Sequence, residues 1–409
     1  MPDESDDSDE HDEHDLGHGD SARGEVTRRA IVVGVAGACC SLAWPAAGTL
    51  GHNEVDWVRR RLVERSDAYA RADPVVWASA GGSGLAAMRA LRVQKLRYDA
   101  VRAVSGRVWA RTTYRFGGFD ASPAGIDQAW AREGVKSMRR VGGAAAPWEW
   151  PRVSVRRGAG LLVGVGRPSV LDEASRLAEG AAQEVAAALE TAPVRPVVLL
   201  PPDGAAFAAA SGVAEGGVAA VTVGPVRGGQ ATGCDRVVLH PTVWGELVPE
   251  GRRVVLTHEL AHLALRRDTS GISPRWLDEG LCEYVAYAAS TLPAAAIAAP
   301  LLRRIAAGGL PDALPTDEDF EGTDVAWAYA AAWCACRVLA ERARDATLVT
   351  LARPRPSDPQ VTRLLTRQAR FEIVLRRDTG WSVRDLVTAW RGSLAHLAAH
   401  PAQRAAADS

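Results

Sequence analysis

Residues 258–262 read His258-Glu259-Leu260-Ala261-His262. Two imidazoles four residues apart lie on one face of an α-helix, a turn from each other, so both can grip a single ion. Glu259 points to a neighbouring azimuth. From there a carboxylate can take a proton from water held by that ion without itself filling a coordination position. The chemistry this spacing suits is metal-assisted hydrolysis, with Glu259 as general base. A catalytic zinc takes three protein ligands and keeps one place for water, so a third ligand must come from elsewhere. Two carboxylates are on offer, Glu279 and Glu283, in Leu277-Asp278-Glu279-Gly280-Leu281-Cys282-Glu283-Tyr284. That stretch reads as a second helix, and both carboxylates could face the first one.

The pair of a histidine-glutamate-x-x-histidine helix and Trp276-Leu277-Asp278-Glu279-Gly280 resembles the gluzincin zinc peptidases. The resemblance implies that His258, His262 and Glu279 bind Zn2+, that peptide or protein is the substrate, and that Glu283 holds a zinc-bound histidine from behind. It also implies a role for Tyr329, in Ala328-Tyr329-Ala330-Ala331-Ala332-Trp333, which is similar to the helix from which gluzincins aim a tyrosine at the oxyanion. Sixteen residues separate His262 from Glu279, a shorter gap than in the aminopeptidase branch, and this resembles the minimal peptidase MA-like proteins of actinobacteria. Arg377 to Trp390 resembles the closing helix of those domains. The Gly-x-Met-Glu-Asn segment with which gluzincin aminopeptidases hold a free amine is missing, so the resemblance favours an endopeptidase. Two imidazoles and a carboxylate suit zinc without excluding manganese or iron. A module that keeps the fold only to bind peptides or cell-envelope partners is the rival reading.

Other histidines and cysteines suggest less. His240 ends a strand-like run and reads as structural. His396 and His400 are also four apart but have no glutamate between them in the right place, so a metal role is not expected there. Cys334 and Cys336 are too close on a helix to bridge readily, while Cys234 and Cys282 could pair, with free buried thiols as the default.

The elements that must position these groups can be read from periodicity. Pro249 to Leu256 opens the histidine helix, with Val254, Val255, Ala261 and Leu265 at helical intervals. Ahead of it the pattern is strand (Gly160–Val165), long helix (Pro168–Leu189), strand (Pro196–Leu200), then strands near Val218–Val223 and Val237–His240. In zinc peptidases of this fold an edge strand beside the zinc helix pairs with extended substrate, and either of the last two could be that edge. Asp268 to Pro274 supplies the turn between the two site helices. Upstream, Asp56–Arg71 is helical and Lys95–Phe116 strand-like. This resembles small α+β cone folds of the nuclear-transport-factor-like kind, and an ordinary packing domain fits as well. Gly142 to Pro151, rich in Gly, Ala and Pro, reads as a linker.

With 409 residues and 47% hydrophobic content, the chain has room for two folded domains. A net charge of −1 and no evident basic stripe with interleaved aromatics argue against nucleic acid as a partner. The first twenty residues are almost wholly Asp, Glu, Ser, His and Gly, which cannot bury apolar surface and predict disorder, with His11, His14 and His18 inside a solvated acidic tail. Ala30 to Gly51 carries no charge and is long enough to cross a bilayer once. It reads as an uncleaved membrane anchor, a cleavable export signal or a buried core helix. Arg28-Arg29 before it favours the anchor with the rest of the chain outside, and Thr27 to Val32 also resembles a twin-arginine export signal. Cys39 lacks the leucine that a lipoprotein signal needs three positions upstream.

The expected architecture is therefore α+β. It comprises an acidic tail (1–27), a hydrophobic segment (28–51), a small α+β domain (52–145), a mostly helical zincin-type domain with a small edge-exposed sheet (152–392), and a polar tail (393–409).

Overall fold

The computed structural model describes residues 52–135, 137–213, 218–227, 230–266, 273–321, 324–343, 345–352 and 366–400. The acidic tail, the hydrophobic segment and residues 268–272 of the loop expected at 268–274 lie outside the described residues. Among the described residues, no helix is long and apolar enough to cross a membrane. The chain is a mixed α+β protein with small sheets.

It opens with α1 (His52–Ala70), α2 (Pro74–Ser79) and α3 (Leu85–Ala90). A four-stranded antiparallel meander follows, β1 (Val93–Val104), β2 (Arg107–Phe116), β3 (Ala124–Arg132) and β4 (Met138–Gly143). The turn from β1 to β2 is two residues long, Ser105 and Gly106, with φ of 48° and 70°. Positive φ at both central positions is the turn whose twist matches a hairpin's. Val58 and Leu62 of α1 pack on the alternate, inward residues Val108 and Ala110 of β2, with Trp130 and Met138.

The second sheet has five strands in the order β5 (Ser154–Arg157), β6 (Leu161–Gly164), β7 (Val197–Leu200), β11 (Arg236–Leu239) and β8 (Ala220–Val223). The helix α4 (Pro168–Ala188) crosses between the parallel pair β6 and β7, and α5 (Gly204–Ser211) follows β7. A two-stranded ribbon, β9 (Val226–Arg227) and β10 (Gln230–Ala231), extends the exit from β8. The strand cores of β6, β7 and β11 are continuous apolar runs such as Val197-Val198-Leu199-Leu200, because both faces of this sheet are covered. Leu162, Val198, Leu200, Val237 and Leu239 face a helical core. Leu161, Val163, Val197, Leu199, Val221 and Val238 face the N-terminal unit and join Phe116, Trp148 and Trp150.

On the helical side lie α6 (Pro241–Glu246), α7 (Pro249–Arg266), α8 (Arg275–Tyr287), α9 (Ala294–Ile297) and α10 (Ala299–Gly308). The series closes with α11 (Ala326–Ala343), α12 (Asp345–Ala352), α13 (Arg367–Thr379) and α14 (Val383–Ala399). Residues 254–265 of α7 are buried without exception, so the helix runs through the core and carries His258, Glu259 and His262 inside it. Its first turns are tied to α4 by Arg252 on Glu173 (2.9 Å) and Arg253 on Glu184 (2.8 Å).

The structure corrects several expectations. The stretch read as a linker does connect the two sheets, but Ala146, Trp148 and Trp150 are buried and Glu149 is bonded to Arg65, so it is a packed joint. The closing segment is two helices: Gly380 at φ 75° ends α13, and Ser382 caps α14 through a reciprocal pair with Asp385. That last helix runs to Ala399, beyond the expected boundary at 392, because Leu394 and Leu397 reach the core. Of the two candidate edge strands, β8 is the outer one, and β11 lies between β7 and β8.

One buried ion pair joins the N-terminal unit to the sheet. Arg236 on β11 donates from both terminal nitrogens to Asp120, at 2.6 and 2.7 Å, and Asp120 also accepts the backbone N–H of Phe116 at 2.6 Å. The guanidinium lies 4.8 Å from the ring centre of Phe116, and both charged side chains are almost wholly buried. Removing one partner strands the other charge in the core. Asp120→Ala should therefore cost about 3–5 kcal/mol, read as a lowered urea midpoint, and a loss below about 1 kcal/mol would show that water reaches Arg236.

Candidate metal centre

Helices α7 and α8 lie against each other, and α11 crosses α8. The crossing depends on small residues. A Cβ on Gly280 would lie 2.5 Å from the carbonyl oxygen of Ala332 and 2.9 Å from Cys336 Sγ, so only glycine lets α11 come this close. Ala328, Ala331, Ala332 and Ala335 keep the facing surface thin. The consequence is that Glu279 of α8 and Tyr329 of α11 both reach the histidines of α7.

Three ligand atoms converge. His258 Nε2 lies 2.9 Å from His262 Nε2, and Glu279 Oε2 lies 3.1 Å from His262 Nε2 and 3.4 Å from His258 Nε2. A tetrahedral zinc with bonds of about 2.0–2.1 Å separates its ligand atoms by about 3.3 Å, so this triangle has the size of a metal's coordination face. The donor set fits zinc. Cys282 is also near: with His258 and His262 it forms a buried group that could hold a metal, its ligand atoms within 4.8 Å of one another. Its sulfur, however, sits 3.3 Å from His262 Nδ1, on the ring nitrogen turned away from the triangle, so it backs the imidazole.

Each of the four central groups has its own outer partner. Glu283 Oε1 is 2.9 Å from His258 Nδ1, at hydrogen-bond distance though poorly aligned. Cys282 serves His262 in the same way. Arg275 Nε stands 3.8 Å from Glu279 Oε1, the oxygen outside the triangle, and is itself held by the carbonyls of Asp317 and Phe320. The Thr222 hydroxyl is 2.6 Å from Glu259 Oε2 and 2.9 Å from the Glu259 carbonyl oxygen, while Oε1 is buried without a partner among the described residues. Tyr329 stands beside the cluster, its ring centre 6.2 Å from that of His258 and 5.1 Å from that of Phe320.

Burial and mutual charge set the protonation of these groups. Burial alone would depress His258, but hydrogen bonds and charge from Glu279 and Glu283 override it and lift its pKa to about 10. Glu279 is the complement: burial would raise it, and the two histidines bring it down to about 2. Glu259 is raised by burial, partly offset by His258, His262 and the Thr222 hydrogen bond. Asp278 is pushed up by burial to about 7 and is hydrogen-bonded by Ser273. Burial also raises the phenol of Tyr329 and the thiol of Cys282 well above their ordinary values, so both stay neutral.

All six residues singled out from the sequence, His258, Glu259, His262, Glu279, Glu283 and Tyr329, are brought together. The others are not. His240 caps α6 through Val243 N–H, and His396 and His400 sit at the surface end of α14. Cys234 and Cys282 are both free, with Cys234 near Thr232 and Pro123, away from the site. Three outer residues were missed. Arg275 and Cys282 had a local signal in their helical spacing from Glu279, whereas Thr222 lies 37 residues before Glu259 and had none. No protein family, curated protein or solved structure matches the chain.

A histidine with a pKa near 10 is protonated at neutral pH, and Nε2 cannot both carry that proton and bind a metal. Metal affinity should therefore rise with pH through the neutral range. Calorimetry at pH 7 in buffers of different ionisation heat should find about one proton or more released per zinc bound. Binding without proton release would show that His258 is neutral in the metal-free protein.

Proposed function

We propose that this protein is a zinc-dependent peptidase of gluzincin type, acting as an endopeptidase, with a zincin-type domain over residues 152–399. The observation that supports it most is the triangle of His258 Nε2, His262 Nε2 and Glu279 Oε2, with a Glu259 oxygen in the same core that has no partner among the described residues. A zinc ion there would polarise the scissile carbonyl and make a bound water acidic enough to attack at neutral pH.

The chain's own residues account for the rest. Glu259 takes one proton of the attacking water and delivers it to the leaving amine nitrogen, so that water and the peptide bond become a carboxylic acid and an amine, which ionise to carboxylate and ammonium. Its raised pKa makes it able to hold that proton between the two steps. Tyr329, neutral because it is buried, donates its phenolic hydrogen to the oxygen on which charge develops. Glu283 and Cys282 fix the ring planes of the histidines, and Arg275 holds the outer oxygen of Glu279 so that one oxygen alone faces the triangle. β8, the outer strand beside α7, is where an extended peptide would add. The hydrophobic segment at 28–51 would anchor the chain in the membrane, with this domain outside the cell.

The complete burial of His258 and Glu259 favours a second reading, a peptidase-fold module that binds partners without cutting them. One comparison separates the two. Glu259→Gln should keep one zinc per chain by elemental analysis and lower turnover of a peptide library about a hundredfold to ten-thousandfold. His262→Ala should lose the zinc. If the parent protein binds zinc and cleaves nothing, the binding module is the correct reading. If Glu259→Gln cleaves at the parent rate, the mechanism is wrong.

A further inference from the structure

We propose that Thr222 is a positioning residue for Glu259, holding one carboxyl oxygen and leaving the other to receive the proton, and that it ties this base to the strand on which substrate is laid. The inference rests on the peptidase reading for its catalytic consequence, but its structural content stands on separate contacts.

Thr222 has no exposed surface, and it lies on β8, the outer strand of the five-stranded sheet. In the alternation of a strand its side chain shares a face with that of Ala220, the face that meets the helical core. The hydroxyl there is within reach of two acceptors of the same residue: Glu259 Oε2 at 2.6 Å and the Glu259 carbonyl oxygen at 2.9 Å. A hydroxyl has one hydrogen to donate and can accept from others. The two contacts hold the Glu259 carboxyl against β8 through Oε2, while Oε1 has no partner among the described residues. A hydrophobic residue of the same shape could make neither contact.

The backbone of Thr222 makes the second connection. His240 N–H donates to the Ala219 carbonyl at 2.8 Å, and the register pairs Val237 with Thr222 and Leu239 with Ala220. Hydrogen-bonded pairs alternate along an antiparallel ladder, so the N–H and C=O of Ala220 and Thr222 are the ones that turn away from β11. These outward groups are what an added strand would bond. One residue thus presents its peptide group to incoming peptide and its side chain to the base, so a peptide seated on β8 is referenced to Glu259 through a single rigid residue.

The test uses the full chain and three variants, Thr222→Val, Thr222→Ser and Glu259→Ala, with the double variant Thr222→Val/Glu259→Ala. With the zinc-loaded protein and a peptide cleaved by the parent, Thr222→Val should retain one zinc per chain. It should lower kcat about tenfold to a hundredfold with KM within about threefold, the signature of a misplaced catalytic group. Thr222→Ser, which restores the hydroxyl, should return kcat to within about threefold of the parent. A Thr222→Val protein with the parent's kcat would overturn the proposal, as would a Thr222→Ser protein no better than Thr222→Val. The second readout needs no activity. In urea unfolding of the metal-free proteins, the double variant should lose less stability than the two single losses added together, because both singles break the same contact. Strict additivity would overturn the proposal. If the parent cleaves no peptide at all, it is the peptidase reading that has failed, and the unfolding cycle alone decides whether Thr222 holds Glu259.

Discussion

The structure depends on one electrostatic constraint: two imidazoles and three carboxylates, His258, His262, Glu259, Glu279 and Glu283, are almost wholly removed from water within a single core. Isolated charges in such a place are prohibitive, so each must be balanced by a neighbour. The balance is local and reciprocal. The histidines lower Glu279, the carboxylates raise His258, and the excess negative charge is met on one side by Arg275. A divalent cation would take over the part that protons play in the metal-free protein. The same burial that makes the cluster costly without partners leaves it poised to bind metal.

That constraint explains the rigidity of the surroundings. α7 cannot present charged groups inward unless it is fixed in rotation, and it is fixed from two sides, by ion pairs to α4 at its first turns and by β8 at Glu259. α8 and α11 must come close enough for side chains of ordinary length to meet, which the glycine at 280 and the alanines of α11 allow. The five-stranded sheet is in turn held between two cores. The N-terminal unit covers the face that the helical unit alone would leave to solvent, through Phe116, Trp148, Trp150 and the Asp120–Arg236 pair. The N-terminal unit and the site helices thus meet through one sheet, which makes the upstream residues part of the support for the centre.

Much of the centre was legible in the amino-acid sequence because its chemistry is local to two helices. A four-residue spacing places His258 and His262 on one face, and the same spacing relates Glu279 to Glu283 and Arg275 to Glu279. Strands β6, β7, β8 and β11 and the long helix α4 were likewise visible as apolar runs and helical periodicity. The joint at 144–150 was misread because Gly, Ala and Pro signal a break in local structure and say nothing of what packs on it. Trp148 and Trp150 were the sign that it is buried. The last helix continues past the boundary expected at 392, where polar composition outweighed Leu394 and Leu397, spaced to meet the core.

The sequence by itself determined which residue types stand one helical turn apart, and hence that two imidazoles can share an ion, with a carboxylate between them in the chain. It also determined that β8 and β11 are strands. Only the tertiary structure decided which strand is outermost, which carboxylate closes the triangle, and that a threonine 37 residues upstream meets the Glu259 carboxyl. The reason is that periodicity encodes the direction of a side chain relative to its own element. The distance between elements is set by how closely their surfaces pack, and here that distance is governed by a missing Cβ at Gly280 and a sheet pressed between two cores.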